Sequence, residues 1–355
     1  MAAIELQGVT KRWESTVGVG NVSFNVDSGS FVILLGPSGC GKSTTLRIIA
    51  GLEEATSGRL IIGGSDVTDV PPSERALSMV FQSYALFPHL SVRENIVFGL
   101  KVRKVSAGER EERLARVAEI VGLQQVLERK PAQLSGGQRQ RVALARAIIA
   151  ENNICLMDEP LSNLDAKLRH DMRVEIRALQ QRLNMTVIYV THDQAEAMSM
   201  GDKVILMRDG QIEQEGTPEE LYERPMTTFA ASFIGTPPMR LLNLVSGGNG
   251  LVIDGENSTR VLEKTDRPMI IGVRPEHITI SEDKGIPADL ISSDYLGSET
   301  MIDARIGGQA ILVRWPGQMK LSKPVKARLS WDASHVHSFD ATSGKRNDNV
   351  KACAV

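Results

Sequence analysis

The stretch Phe31-Val-Ile-Leu-Leu-Gly-Pro-Ser-Gly-Cys-Gly-Lys-Ser43 decides the fold. Its first five residues are an unbroken apolar run, the pattern of a strand buried on both faces of a mostly parallel sheet. A glycine-rich turn follows at once, and then a helical pattern. Gly36 to Ser43 fits G-x-x-x-x-G-K-[ST]. In such a loop the glycines let the backbone curl until its N–H groups face inward at a helix N-terminus and form a nest for phosphate oxygens. The nucleotide-contacting set is read as Gly36, Ser38, Gly39, Cys40, Gly41, Lys42, Ser43 and Thr44. Lys42 is expected to reach the β- and γ-phosphates, and the Ser43 hydroxyl to bind Mg²⁺.

A second apolar run, Ile154-Cys-Leu-Met157, ends in the carboxylates Asp158 and Glu159. It is expected to lie beside the phosphate-loop strand, with Asp158 meeting Mg²⁺ and Glu159 polarising the attacking water as general base. Thr186–Val190 is a third such run. Helical periodicity fills the gaps, from Glu109 to Leu123 and, with Leu168, Met172, Ile176, Leu179 and Leu183 on one stripe, from Ala166 to Leu183. Buried strands alternating with helices predict an α/β domain. Residues 4–9 and 22–26 alternate as half-buried strands, and Val204–Met207 followed by Asp209-Gly210 reads as a hairpin. Thr217-Pro-Glu-Glu220 opens a helix, with Thr217 as N-cap and Pro218 at the first helical position. Gly235-Thr-Pro-Pro238 breaks the pattern, and beyond about residue 240 short alternating runs predict an all-β domain. The tail from about 345 is polar and reads as disordered.

The chain has 355 residues, enough for two domains. With 42% hydrophobic and 24% charged residues it is expected to be globular. A formal net charge of -2 argues against a general nucleic-acid binder. Cys40, Cys155 and Cys353 are odd in number and widely spaced, which points to a reducing compartment rather than a disulfide framework or a zinc site. No run reaches the roughly 18 apolar residues of a membrane span, and the first residues lack the core of a signal peptide. The chain is expected to be cytosolic, so a role at a membrane requires another chain to cross it.

Leu134-Ser-Gly-Gly-Gln138 makes a second anion-binding helix start, with Ser135 followed by Gly136 and Gly137. Followed by Arg139-Gln-Arg-Val142, it resembles the signature motif of ATP-binding-cassette ATPases. In that family the signature of one subunit closes over ATP held by the phosphate loop of the other. The resemblance therefore implies a homodimer, with Ser135, Gly136, Gly137 and Gln138 contacting the partner's nucleotide. It also implies a role for Gln82 as the loop glutamine that senses Mg²⁺ and the membrane partner. Ser162-Asn-Leu-Asp165 becomes the dimer-contact loop, with Asp165 near nucleotide, His192 the histidine at the γ-phosphate, and Trp13 the ring stacked on adenine.

Tyr84-Ala-Leu-Phe-Pro-His-Leu-Ser91 is similar to the stretch that faces the membrane subunits in import ATPases of the maltose and glycerol-3-phosphate type, with Phe87 and Leu90 as apolar contacts. Phe233–Met239 and Arg274-Pro-Glu-His277 match that subfamily's junction and C-terminal β domain; Ser338 stands where an apolar residue is usual. The resemblance implies an α/β phosphate-loop NTPase cassette domain over 1–235, with a helical subdomain at about 85–150. An all-β, OB-like regulatory barrel follows over 236–355. The expected activity is ATP hydrolysis with Mg²⁺, coupled to uptake of a carbohydrate-like solute. The expected partners are a second copy, two membrane permease subunits and an extracytoplasmic solute-binding protein, with no nucleic acid, at the cytoplasmic face of the membrane. An exporter subunit, or a soluble ATPase without a transport role, is the alternative.

Overall fold

The structure is a computed structural model and describes residues 2–256 and 258–355. The chain divides into two compact units, residues 1–218 and 219–355. The strands of the first unit are β1 (Ala2–Trp13), β2 (Thr16–Asp27), β3 (Phe31–Leu35), β4 (Ser57–Ile62), β5 (Ser65–Asp66), β6 (Leu77–Val80), β7 (Ile154–Asp158), β8 (Thr186–Thr191), β9 (Lys203–Arg208) and β10 (Gln211–Gly216). Its helices are α1 (Lys42–Ala50), α2 (Val92–Val102), α3 (Ala107–Ile120), α4 (Gly136–Ile148), α5 (Ala166–Leu183) and α6 (Gln194–Met200).

Two sheets form. One is antiparallel in the order β2-β1-β4-β5; the other runs β10-β9-β3-β8-β7-β6. In the second, the five strands from β9 to β6 are parallel, and β10 turns back on β9. The unbroken apolar runs are its central strands, with every residue of β3, β7 and β8 buried. Alternating β1 and β2 instead bury one face, through Ile4, Leu6, Phe24 and Val26, which join α1 and the parallel sheet in a single core. The β9–β10 turn places Asp209 and Gly210 at φ 49° and 79°, the left-handed pair that a two-residue hairpin favours.

Strand order corrects one expectation. β7 is not the neighbour of β3; β8 lies between them. An apolar run shows that a strand is buried on both faces, not which strand it pairs with. The bridge from loop to carboxylate is made by α1, which packs across both β8 and β7. Its far end is clamped by Arg75, which is 5% exposed. The guanidinium donates to the carbonyls of Ile48 and Ile49 at 2.7 and 3.0 Å, and to those of Val70 and Thr68. α2, α3 and α4 pack on one another between β6 and β7, within the stretch read as a helical subdomain.

The second unit opens with helices α7 (Pro218–Glu223) and α8 (Thr228–Phe233). Ten strands follow: β11 (Arg240–Gly247), β12 (Gly250–Ile253), β13 (Arg260–Leu262), β14 (Met269–Val273), β15 (Thr279–Ser281), β16 (Ile286–Tyr295), β17 (Glu299–Ile306), β18 (Gln309–Pro316), β19 (Val325–Ser330) and β20 (Val336–Asp340). They make two five-stranded antiparallel sheets, β13-β12-β11-β14-β20 and β15-β19-β16-β17-β18, around one core that includes Leu242, Ile271, Ile302, Val313 and Trp331. The sequence puts the boundary after residue 235, but α8 and nearly all of α7 belong to this β unit. Arg274, 1% exposed, explains why. It donates to the carbonyls of Ile234 and Tyr222 and lies 3.9 Å over the Tyr222 ring.

The tail read as disordered is instead pinned. Lys345 bridges Thr227, Arg346 bridges Phe339, and Ala352 bridges Leu262. Ser338, the polar residue at a usually apolar place, is buried and donates to the Asn347 carbonyl at 2.6 Å. The tail's carbonyl is what satisfies it.

Candidate functional site: a nucleotide site at the C-terminal edge of the parallel sheet

Because β3, β6, β7 and β8 run parallel, their C-terminal ends open on one edge, where ligands of such sheets collect. Gly36–Gly41 follows β3, Gln82 follows β6, Glu159 follows β7 and His192 follows β8. Four segments far apart in sequence thus converge.

The loop after β3 leads directly into α1. Its N-cap, Gly41, has φ 101° and offers no side chain. The other long helices of this unit are capped by their own hydroxyls or carboxylates: Ser91 on α2, Ser106 on α3, Ser135 on α4 and Asp165 on α5. The first N–H groups of α1 are therefore left for an external acceptor, at the positive end of the helix. Gly41 is confined to glycine, since a β-carbon there would stand 2.5 Å from the Gly18 carbonyl oxygen. At Gly36 one would stand 2.3 Å from the Met207 carbonyl oxygen. Lys42 is 5% exposed and folds back into the loop, donating to the Gly36 and Pro37 carbonyls at 2.8 Å each. Ser38 and Gly39 are exposed, Ser43 and Thr44 half-buried. Cys40 is buried at the base of the loop, and burial raises its thiol pKa despite the nearby Lys42 cation.

The Ser43 hydroxyl donates to Asp158 Oδ1 at 2.8 Å. Two hard oxygens from β7 and α1 thus meet beside the loop. Glu159, one residue on, has φ 44°, and its N–H donates to the Val190 carbonyl at 3.1 Å. This turn swings the carboxylate out of the strand. Glu159 Oε2 accepts from Gln82 Nε2 at 3.2 Å, and Glu159 Oε1 lies 3.3 Å from His192 Nδ1. Gln82 also reaches the Ser162 hydroxyl at 3.3 Å, while Asn163 Nδ2 donates to the Gln82 carbonyl at 3.0 Å. The structure therefore brings Gln82, Glu159, Ser162 and His192 into one hydrogen-bonded group. Among the described residues no cluster of three or more His, Cys, Asp or Glu could hold a metal. Ser43 and Asp158 suit instead a hydrated Mg²⁺, which takes few protein ligands and keeps several waters.

The signature residues sit at the start of α4. Ser135 and Gln138 form a reciprocal capping box, at 3.3 and 3.0 Å. Gly137 packs so closely on α5 that a β-carbon would lie 3.0 Å from Leu168 Cδ1, and one on Gly136 would lie 3.1 Å from Leu164 Cδ2. Asp165 caps α5 through the Leu168 N–H. Its carboxylate thus has a local role as well as any nucleotide role. Trp13, at the end of β1, is 43% exposed and lies against Gly18 of β2. Gly18 is the residue whose carbonyl abuts Gly41, which places the indole next to the phosphate loop.

Sequence reading missed Arg146 and Asn95, which hold the segment after Gln82. Tyr84 and Ala85 take φ 64° and 47° just after Gln82. Arg146 of α4 donates to the Ala85 carbonyl at 2.5 Å, and its guanidinium lies 5.4 Å over the Phe87 ring. Asn95, wholly buried in α2, accepts from the Phe87 N–H and donates to the carbonyls of Phe87, Leu90 and Ser91. Phe87 and Leu90, read as partner contacts, are half-buried. Phe87 packs on Phe98 at 4.4 Å between ring centroids. The one sequence signal was Asn95 itself, a polar residue on the apolar stripe of α2.

The geometry agrees with what the chain is similar to. The ABC transporter family model matches residues 19–162, and the TOBE domain model matches 271–339. The sn-glycerol-3-phosphate import ATP-binding protein UgpC of Cereibacter sphaeroides is 45% identical over 98% of this chain and 100% of its own length. The trehalose/maltose import ATP-binding protein MalK of Thermococcus litoralis is 44% identical over 97% and 99%. Among solved structures, the dimeric bacterial ABC transporter cassette MJ0796 superposes with a TM-score of 0.55 at 34% identity, covering 61% of this chain and 98% of that one. Full-length identity of this order, together with a phosphate loop that feeds an uncapped helix beside a paired Ser43 and Asp158, leaves one assignment: the chain belongs to the ABC transporter family, as an ATP-hydrolysing import ATP-binding protein.

Proposed function

We propose that this chain powers uptake of a carbohydrate-like solute as a homodimer, bound to two membrane permease subunits at the cytoplasmic face of the membrane. An extracytoplasmic solute-binding protein completes the system. The observation that carries the catalytic part is the convergence of Lys42, Ser43, Asp158, Glu159, Gln82 and His192 at one sheet edge. The solute class is supported by relatives named for sn-glycerol-3-phosphate, trehalose/maltose and sulfoquinovosyl glycerol. The dimer is supported by the solved MJ0796 cassette, described as dimeric, one form with ADP and Pi. Dependence on permease chains is supported by the absence, among the described residues, of any helix long and apolar enough to cross a membrane.

In this reading the free N–H groups of α1 and the Lys42 ammonium cradle the β- and γ-phosphates, and Trp13 stacks on the base. Ser43 and Asp158, with Gln82, would hold Mg²⁺, which would supply neutralisation of charge on the phosphate oxygens. Glu159 accepts a proton from the attacking water, and His192 faces the γ-phosphate beside it. The signature of the second copy, Ser135 to Gln138, closes over the same nucleotide, with Asp165 at the contact.

Glu159→Gln keeps the side chain's shape and hydrogen bonding but removes the base. ATP binding should persist, phosphate release should fall by about a hundredfold or more, and an ATP-dependent dimer should accumulate in light scattering. Near-normal release would sink the assignment of the base. For the transport part, tagged protein drawn gently from its own membranes should bring two multi-span chains with it. Recovery with ribosomes or DNA would overturn that part alone.

A further inference from the structure

We infer that Glu196, a residue outside the nucleotide-contacting set, is a positioning residue that fixes His192 for ATP hydrolysis; this rests on the hydrolytic reading of the site given above. Glu196 lies in the first turn of α6 and is 3% exposed. Its Oε2 accepts from the Tyr189 hydroxyl at 2.9 Å and from the Thr191 hydroxyl at 2.7 Å. The same Thr191 oxygen accepts from the backbone N–H of Asp193 at 2.9 Å. One hydroxyl, carried by the residue before His192, thus ties the buried carboxylate to the residue after it. Asp193 is held from the other side. Its Oδ1 accepts from the N–H groups of Ala195 and Glu196 at 2.7 and 3.3 Å, and its Oδ2 lies 3.3 Å from Arg169 Nη1.

The result is a closed hydrogen-bonded ring, Thr191–Asp193–Glu196, that flanks His192 on both sides. The His192 side chain is 56% exposed and meets Glu159 at 3.3 Å. A cavity of about 40 Å³, lined by Glu159, Thr191, His192, Asp193 and Glu196, joins the ring to the reacting end of the site. It is large enough for a water molecule.

Burying a carboxylate is unfavourable unless its partners recover the lost hydration. Burial raises the Glu196 carboxyl above the ordinary carboxylate range, and it drives the Tyr189 hydroxyl well above its own. Capping α6 does not require Glu196, because Asp193 already does so. Besides accepting from Tyr189, Glu196 anchors the Thr191 hydroxyl, and through it the backbone on both sides of His192.

The test is a double-mutant cycle on the full chain, with steady-state kcat and KM for ATP and a melting curve for each variant. Glu196→Ala and Thr191→Val should each lower kcat by about tenfold or more, the scale on which misplacing a catalytic group slows a reaction, with KM within about twofold. Glu196→Gln, which keeps an acceptor oxygen, should recover most of the rate. Combined with His192→Ala, neither substitution should lower kcat beyond His192→Ala alone, because all act through one side chain. Losses that multiply, or a Thr191→Val protein with full kcat, would overturn the inference. If Glu196→Ala fails to fold, Thr191→Val still decides, since valine fills the same volume without the hydroxyl. A His192→Ala protein hydrolysing at the normal rate would bring down the role given to His192 itself, an outcome separable from the failure of Glu196 alone.

Discussion

Glu159, Tyr84 and Ala85 hold left-handed backbone angles of 44°, 64° and 47° without being glycine. Each such residue costs roughly 1–3 kcal/mol and persists only where its surroundings over-determine it. Here the surroundings are specific: the Val190 carbonyl takes the Glu159 N–H, and Arg146 takes the Ala85 carbonyl. The strain aims the Glu159 carboxylate and the loop after Gln82 at one point. Gly41 is the converse case, a position where only glycine is unstrained. With φ 101° and the Gly18 carbonyl 2.5 Å from any β-carbon, Gly41→Ala should distort the loop. We expect a lower melting temperature, by the few degrees that roughly 1–3 kcal/mol of strain implies, and weaker binding of a fluorescent ATP analogue. Unchanged affinity would show that the loop tolerates a β-carbon and that its curl is not what selects phosphate.

At the scale of elements, α1 depends on both of its ends. Its N-terminus is kept open by Gly41, and its C-terminus is closed by Arg75, four of whose hydrogen bonds end on buried or part-buried carbonyls. Arg75→Ala strands those carbonyls and should destabilise the first unit by roughly 3 kcal/mol, read as a fall in the denaturation midpoint. The same substitution should weaken nucleotide binding less than Gly41→Ala, because it acts on the far end of the helix. A midpoint unchanged by Arg75→Ala would mean that water replaces the guanidinium. The start of α1 was legible in the sequence because Gly41-Lys42-Ser43 is a contiguous pattern. Arg75 was not, because nothing near it in sequence marks a partner 27 residues away. For the same reason β7 was recognised as a buried strand but assigned to the wrong neighbour.

At the scale of the molecule, the second unit carries a pH-dependent burden. His337 on β20 is 7% exposed, and its Nδ1 lies 3.1 Å from Arg346 Nη1. Burial first, then the Arg346 and Arg274 cations, hold its imidazole down at about 4, against 6.5 for a free one. His277, stacked on His335 with ring centroids 3.7 Å apart, is lowered too, first by burial and then by that neighbour. Between pH 6.5 and 4 the unfolded chain therefore binds more protons than the folded one. The stability owed to neutral His337 is complete above pH 6.5 and declines as pH falls through that window, by about 3 kcal/mol at the low end. Melting curves at pH 7.5 and 4.5 should show this loss in the wild type and a shallower one in His337→Gln. Equal slopes would mean that His337 is protonated in the folded protein.

What the sequence by itself determined is local: the phosphate loop, the buried runs that become β3, β7 and β8, the helical stripes, the β9–β10 hairpin and the change to an all-β unit. Each is written in consecutive residues, where spacing and chemistry act within a few positions. The tertiary structure alone decided that β8 separates β3 from β7, that Arg274 draws α8 and most of α7 into the β unit, and that the polar tail is pinned through Ser338. It also decided that Glu196, silent in the sequence, stands behind His192. These depend on hydrogen-bond partners brought together only by folding, and a buried polar group shows its purpose only once its partner is in place.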